Sequence, residues 1–261
     1  MTLSNRKILR TLLCLLAGTL YAVCLSACDA KEPLSENRDA EIESPVIAND
    51  LSNQKVTAIA EDTQGHIWIG TFRGLNKNNV HDYHQYFCTD DSLGLPDNQI
   101  THLLRDSKNR FWVGTVNGVC LYTDKDNFRI IPIEADNKNV RQILEDRNGR
   151  IFLNTGFQLY AYHPREEKIT CVLPEISPGN AFYAQCHIAP DNNLWVMTST
   201  GLRCYDPSTL QLKESVALSG YPYYSYLHNN ELWITGNHTL SIFDTRTHSF
   251  KPLPQPIAHN T

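Results

Sequence analysis

The residues of this 261-residue chain with the most chemical capacity fall into four groups. The first is a set of unlike side chains, Arg73, Asn117, Phe157, Thr200 and His238, each five positions after a Trp or Phe of a recurring block. Arg73 and His238, with Phe72 beside Arg73, have the chemistry to hold a sugar by hydrogen bonds and ring stacking. The bland alternative is a row of solvated loop tips. The second group, His81-Asp82-Tyr83-His84, contains metal-capable groups. Its place on an outer strand without a third ligand nearby predicts no metal site. The third is a set of carboxylates, Asp62, Asp106 and Asp146, each six positions before Trp68, Trp112 or Phe152. A residue repeated in successive units serves what every unit needs, so these read as turn formers and not as acid/base pairs. Glycoside hydrolysis requires two non-equivalent carboxylates facing one cleft. The acids that break the repeat, Asp82, Glu134 and Glu175, are predicted on outer strands or connections. No catalytic residue and no cofactor is therefore expected. The fourth group, Tyr221-Pro222-Tyr223-Tyr224-Ser225-Tyr226, resembles a carbohydrate platform, but its place on an innermost strand predicts alternate tyrosines packed between sheets.

The elements that must position these groups follow from one periodicity. Trp68, Trp112, Phe152, Trp195 and Trp233 are separated by 44, 40, 43 and 38 residues. A period near forty marks a unit that cannot bury its apolar face alone and must stack on its neighbours. Within a unit, short runs of β-branched and aromatic residues are bounded by Asp, Asn and Gly, as in Asp62-Thr-Gln-Gly65 and Asp146-Arg-Asn-Gly149. A second glycine (Gly74, Gly118, Gly201) lies six after the aromatic, and another aromatic (Tyr122, Tyr162, Tyr205, Phe243) lies ten after it. This predicts four strands per unit and an all-β fold: a β-propeller of four-stranded antiparallel blades, five repeats, possible as an incomplete seven-bladed ring. In blades four and five Ala189 and Leu227 replace the aspartate, so the pattern decays along the chain.

The N-terminus reads as a targeting segment. Arg6, Lys7 and Arg10 precede an apolar stretch, residues 11–27, and Leu25-Ser26-Ala27-Cys28 is similar to a bacterial lipobox. The expected organisation is a signal peptide at 1–27, lipidation at Cys28, a flexible tether to residue 50, blades over 51–254 and a tail at 255–261. That predicts a lipid-anchored protein on the periplasmic side of the cell envelope. The net charge of −5 and the lack of basic runs beyond the N-terminus argue against a nucleic-acid partner. Beyond Cys28, Cys88, Cys120, Cys171, Cys186 and Cys204 are irregularly spaced and read as small apolar fillers, Cys186 above all.

Asn49-Asp-Leu-Ser-Asn-Gln-Lys-Val-Thr-Ala-Ile59, Ile67-Trp-Ile-Gly-Thr71 and Ser92-Leu-Gly-Leu-Pro-Asp-Asn-Gln-Ile100 resemble the two-component regulator propeller. This is the periplasmic sensor region of hybrid two-component systems of Bacteroidetes. The resemblance is specific in blades one and two; Asn154, Met197 and Thr235 replace the glycine of the Trp-Ile-Gly-Thr block later on. It implies a non-catalytic module that senses an oligosaccharide, joined to a histidine kinase or present as a homodimer. This chain carries no kinase motif, so the resemblance predicts a fragment of such a sensor. The competing expectation is a stand-alone envelope lipoprotein that binds glycans or proteins as a scaffold. A propeller lyase or glycosidase stands behind both.

Overall fold

The computed structural model describes residues 45–89, 94–123, 126–176, 184–237 and 239–253, all within one compact unit that spans 42–261. They form five antiparallel sheets. Blade one contains β1 (Val46–Ala48), β2 (Val56–Glu61), β3 (Ile67–Thr71), β4 (Gly74–Asn79) and β5 (Asp82–Tyr86). Blade two contains β6 (Ile100–Arg105), β7 (Phe111–Thr115), β8 (Gly118–Thr123) and β9 (Asn127–Ile131). Blade three contains β10 (Gln142–Glu145), β11 (Ile151–Asn154), β12 (Leu159–His163) and β13 (Lys168–Leu173). Blade four contains β14 (Gln185–Ile188), β15 (Leu194–Thr198), β16 (Gly201–Tyr205) and β17 (Leu212–Ala217). Blade five contains β18 (Pro222–His228), β19 (Glu231–Gly236), β20 (Thr239–Asp244) and β21 (Ser249–Lys251). The first strands of successive blades, β2, β6, β10, β14 and β18, pack on one another in that order. Among the described residues no helix is long and apolar enough to cross a membrane.

The turns form for the predicted reason. Asp106 Oδ1 accepts the backbone N–H groups of Lys108 and Arg110, and Asp146 Oδ1 those of Asn148 and Arg150. Gly65, Asn109, Gly149 and Asn192 follow with positive φ, a conformation that Gly and Asn tolerate best.

Blades stack through two chemically different faces. The block aromatic points to the following blade: Trp68, Trp112, Phe152 and Trp195 are fully buried there. Residues of alternate parity, such as Phe111 and Val113 or Ile151 and Leu153, point to the preceding blade. The aromatic ten positions after the block residue completes the contact from the next blade. Trp68 meets Tyr122 at 4.7 Å, Trp112 meets Tyr162 at 5.0 Å and Trp195 meets Phe243 at 5.0 Å, all edge-on. Such pairs add about 0.5–1.5 kcal/mol each beyond the area they bury. The glycine of the Trp-Ile-Gly-Thr block serves the same contact. A Cβ on Gly70 would lie 2.5 Å from Ile100 Cγ2, and one on Gly114 3.1 Å from Val140 Cγ1. Where Asn154 replaces it, the side-chain amide instead donates to Ala184 O at 2.8 Å.

Three expectations need correction. Residues 46–48, placed in the tether, are strand β1, which pairs with β5 as a fifth strand of blade one. The tyrosines are not core: Tyr221, just before β18, and Tyr223, Tyr224 and Tyr226 within it are all exposed, and no further sheet covers the face that Tyr224 and Tyr226 share among the described residues. Trp233, on the same face, is only half-buried. Cys120, Cys186 and Cys204 are buried as apolar fillers, but Cys88 and Cys171 are exposed. Residues 1–27 and Cys28 lie outside the described residues.

Candidate functional site

In blades one to four the hairpins between the second and third strands hold the predicted site residues, and one geometry builds three of them. In blades one, two and four the block threonine (Thr71, Thr115, Thr198) donates its hydroxyl to the carbonyl of Gly74, Gly118 or Gly201, at 2.8, 3.0 and 3.0 Å. The same oxygen accepts the backbone N–H of Arg73, Asn117 or Thr200, at 3.1, 3.2 and 3.3 Å. This two-way bond fixes the backbone of the tip while leaving the side chain outside. Arg73, Asn117 and Thr200 are accordingly exposed. Glycine closes the turn because φ reaches +109° at Gly74 and +134° at Gly118.

The tips share one side of the array. Gly74 N donates to Asn98 O, Val140 N to Thr115 O and Ala184 N to Gly156 O, so each hairpin abuts the segment leading into the next blade. Among the described residues no hydrogen bond joins Arg73, Asn117 and Thr200 to one another; they form a row and not a cluster. Phe72 is exposed, with Lys55 Nζ 3.9 Å from its ring centroid, so one ring face already carries a cation. Phe157 departs from the pattern. Blade three turns through Asn154 Oδ1 accepting Gly156 N at 2.6 Å, and Phe157 is half-buried. His238 lies outside the described residues.

A second arrangement escaped the sequence reading. Ten positions before the block aromatic, three middle blades carry a polar side chain on the first strand: His102, Gln142 and Gln185. Each reaches the first strand of the next blade. His102 Nδ1 accepts Ile143 N–H at 3.4 Å. Gln142 Oε1 accepts Cys186 N–H at 2.9 Å, and Gln185 Oε1 accepts Ser225 N–H at 2.7 Å. His187 adds a 2.8 Å bond from its Nε2 to Ser225 Oγ. Burial lowers the pKa of both His102 and His187 to about 4. These amides and imidazoles tie blades together through backbone groups, so they read as structural.

On the opposite side, a cavity of about 420 Å³ between blades one and two is lined by Asp62, Lys77, Arg105 and Tyr122 among others. Lys77 Nζ lies 5.3 Å from the Trp68 ring and 3.5 Å from Tyr122 Oη. The Tyr86 and Tyr122 hydroxyls both donate to Asp126 Oδ1, at 2.6 and 2.9 Å. Burial disfavours the Asp126 carboxylate, but these two bonds and nearby Lys77 outweigh it and lower its pKa. Desolvation, followed by the Asp126 bond, raises both tyrosine pKa values. The arrangement suits charge neutralisation more than proton transfer, since its acid stays ionised and its hydroxyls stay protonated at neutral pH.

His84 Nε2 lies 4.0 Å from Asp82 Oδ1, and no group of three metal-capable side chains occurs among the described residues. Asp82 sits on β5 of blade one, Glu134 follows β9 of blade two and Glu175 follows β13 of blade three, so the three acids come from different blades.

Comparison with known proteins agrees with this architecture. The two component regulator propeller family matches residues 50–73 and 94–117, the first half of blades one and two. Among solved structures, virginiamycin B lyase from Staphylococcus aureus is 17% identical, with 82% of this chain and 74% of the lyase covered at a TM-score of 0.62. An auxiliary nutrient binding protein from Bacteroides thetaiotaomicron is 10% identical, over 73% of this chain and 55% of that one, at 0.51. The extracellular domain assigned to a hybrid two component system of B. thetaiotaomicron is 15% identical over 76% of this chain, at 0.47. This chain spans 36% of that domain's length. Identities this low speak to fold alone. No curated protein matched the sequence. The chain is a β-propeller whose first two blades carry the two-component regulator propeller repeat.

Proposed function

We propose that this chain is a non-catalytic ligand-sensing propeller module on the extracytoplasmic side of the membrane, serving a two-component sensor. Its ligand class is an oligosaccharide, and Cys28 carries the lipid that tethers it. The observation that carries the reading is the row of hairpin tips. Their backbones are held by the same threonine bond, yet the exposed side chains differ from blade to blade: Phe72 and Arg73, Asn117, Thr200. Tips held alike but carrying unlike side chains offer the variety of donors and ring faces that a polyhydroxylated ligand uses. The repeated carboxylates and indoles are consumed by turns and blade contacts, which leaves them no part in catalysis. Isothermal titration of the full chain against a panel of neutral and acidic oligosaccharides tests this. Binding that Arg73→Ala and Asn117→Ala abolish supports it. A folded protein that gives no heat with any member would sink the oligosaccharide reading.

A further inference from the structure

One position of the repeat carries a charge in blade one alone. The residue nine after the block aromatic pairs with it across the hairpin: Lys77 with Trp68, Leu121 with Trp112, Ala161 with Phe152, Cys204 with Trp195 and Ile242 with Trp233. The four later residues are apolar and buried. Lys77 takes the same place in the wall between blades one and two. It is half-buried, with its ammonium 5.3 Å from the Trp68 ring centroid and 5.5 Å from that of Tyr122. The next wall also sets a cation on its aromatic pair, since Arg110 lies 5.1 Å from Trp112 and 5.3 Å from Tyr162. Arg110, however, is neutralised by Asp106, Nε to Oδ2 at 2.6 Å. The described hydrogen bond of Lys77 Nζ goes instead to an uncharged oxygen, Tyr122 Oη at 3.5 Å. Arg105, exposed and lining the same cavity, likewise spends Nη1 on a carbonyl, Asp62 O at 3.0 Å. The nearby carboxylates are engaged within the fold. Asp62 Oδ1 accepts the N–H groups of Gln64 and His66, its Oδ2 accepts the Trp68 indole, and Asp126 Oδ1 accepts both tyrosine hydroxyls.

We infer that the cavity between blades one and two binds a small oxyanion, a carboxylate or sulfate group, through the Lys77 ammonium and the Arg105 guanidinium. A lysine drawn into a wall that is apolar in the other blades carries a desolvation cost, which a bound anion offsets. Lysine supplies a compact charge, and arginine a planar fork that matches an oxyanion. The cavity volume of about 420 Å³ is within the range of small-molecule sites, and Gln64 and Asn109 in its lining add uncharged donors. The site lies opposite the hairpin tips, so the inference is independent of the oligosaccharide reading.

Isothermal titration of the full chain with sulfate, glucuronate and glucose at low ionic strength tests it. At least one of the two anions should bind, which tells sulfate from carboxylate recognition, and glucose should not. Lys77→Leu and Arg105→Gln should each weaken that binding by about tenfold or more, the loss of one charged hydrogen bond. Lys77→Leu installs the residue that blade two has at this place, so it should fold, as circular dichroism checks. Arg105→Gln alters an exposed side chain and gives the same reading should Lys77→Leu lose the fold. Arg73→Ala should bind the anion like the wild type, which keeps this outcome separate from that of the tips. No heat from either anion overturns the inference. So does binding of glucose as strong as that of glucuronate, or anion binding that either folded cavity variant leaves unchanged.

Discussion

Asp106 Oδ2 accepts the indole N–H of Trp112 at 2.8 Å in the buried wall between blades two and three. Blade one repeats the bond between Asp62 and Trp68 at 2.9 Å. The pair separates where the repeat decays, and each half is then left alone. In blade three Phe152 replaces the tryptophan, and Asp146 Oδ2 is buried without a hydrogen-bond partner. In blade four Ala189 replaces the aspartate, and Trp195 Nε1 is buried without one. The aspartate is thus both a turn former and the acceptor for the aromatic six positions on.

Restoring the pair should stabilise the fold. Ala189→Asp places a carboxylate where the blade-four turn already has the backbone bonds of its counterparts, Ala189 N to Asn193 O and Asn192 N to Ala189 O. The expected gain is about 1 kcal/mol, the net worth of a buried hydrogen bond. Asp106→Ala should cost about 1–3 kcal/mol, the penalty for orphaning a buried donor. Urea unfolding of both variants measures this; a less stable Ala189→Asp protein would contradict the pairing.

Stability should fall between neutral and mildly acidic pH. His102 and His187 have pKa values near 4 in the fold, lowered by burial, whereas unfolded histidine titrates near about 6.5. The unfolded state therefore binds protons first as pH drops. Stability is full above about pH 6.5 and is lost progressively toward pH 4. Gln142 makes the same bridge in blade three, so His102→Gln should keep the contact and flatten part of the slope. Urea midpoints at pH 7 and 4.5 would show it, and an unchanged slope in His102→Gln would refute the assignment.

The two block glycines should differ in tolerance. Gly70→Ala forces a Cβ into Ile100 Cγ2 at 2.5 Å, while Gly114→Ala meets Val140 at 3.1 Å. Overpacking of this kind costs about 1–3 kcal/mol, and Gly70 should sit at the upper end. Thermal unfolding that ranks Gly114→Ala as the more damaged protein would mean that blade one yields more easily than its contacts indicate.

Ligand binding and folding should separate at the tips. Arg73→Ala and Asn117→Ala remove exposed side chains while keeping the backbone bonds to Thr71 and Thr115. Melting temperature should stay within error as titration heat disappears. Lys77→Ala, on the opposite side, should leave binding intact; if it alone abolishes binding, the cavity beside Tyr122 is the site.

The order of strands, the turns and the repeating core were legible in the sequence, because they depend on local spacing: aspartate to aromatic, aromatic to glycine, alternation along a strand. Arg73, Asn117 and Thr200 could be placed on hairpin tips for the same reason. The tertiary structure decided what depends on which sheet lies across from which. Alternation showed that the tyrosines of β18 occupy definite faces, but only the arrangement of blades showed that no sheet among the described residues covers Tyr224 and Tyr226. The two uses of Asp106, the bridge from Gln142 to Cys186, and Val46–Ala48 joining blade one all join groups distant in sequence or alternative in role. Their partners are chosen by packing, and local spacing carries no record of that choice.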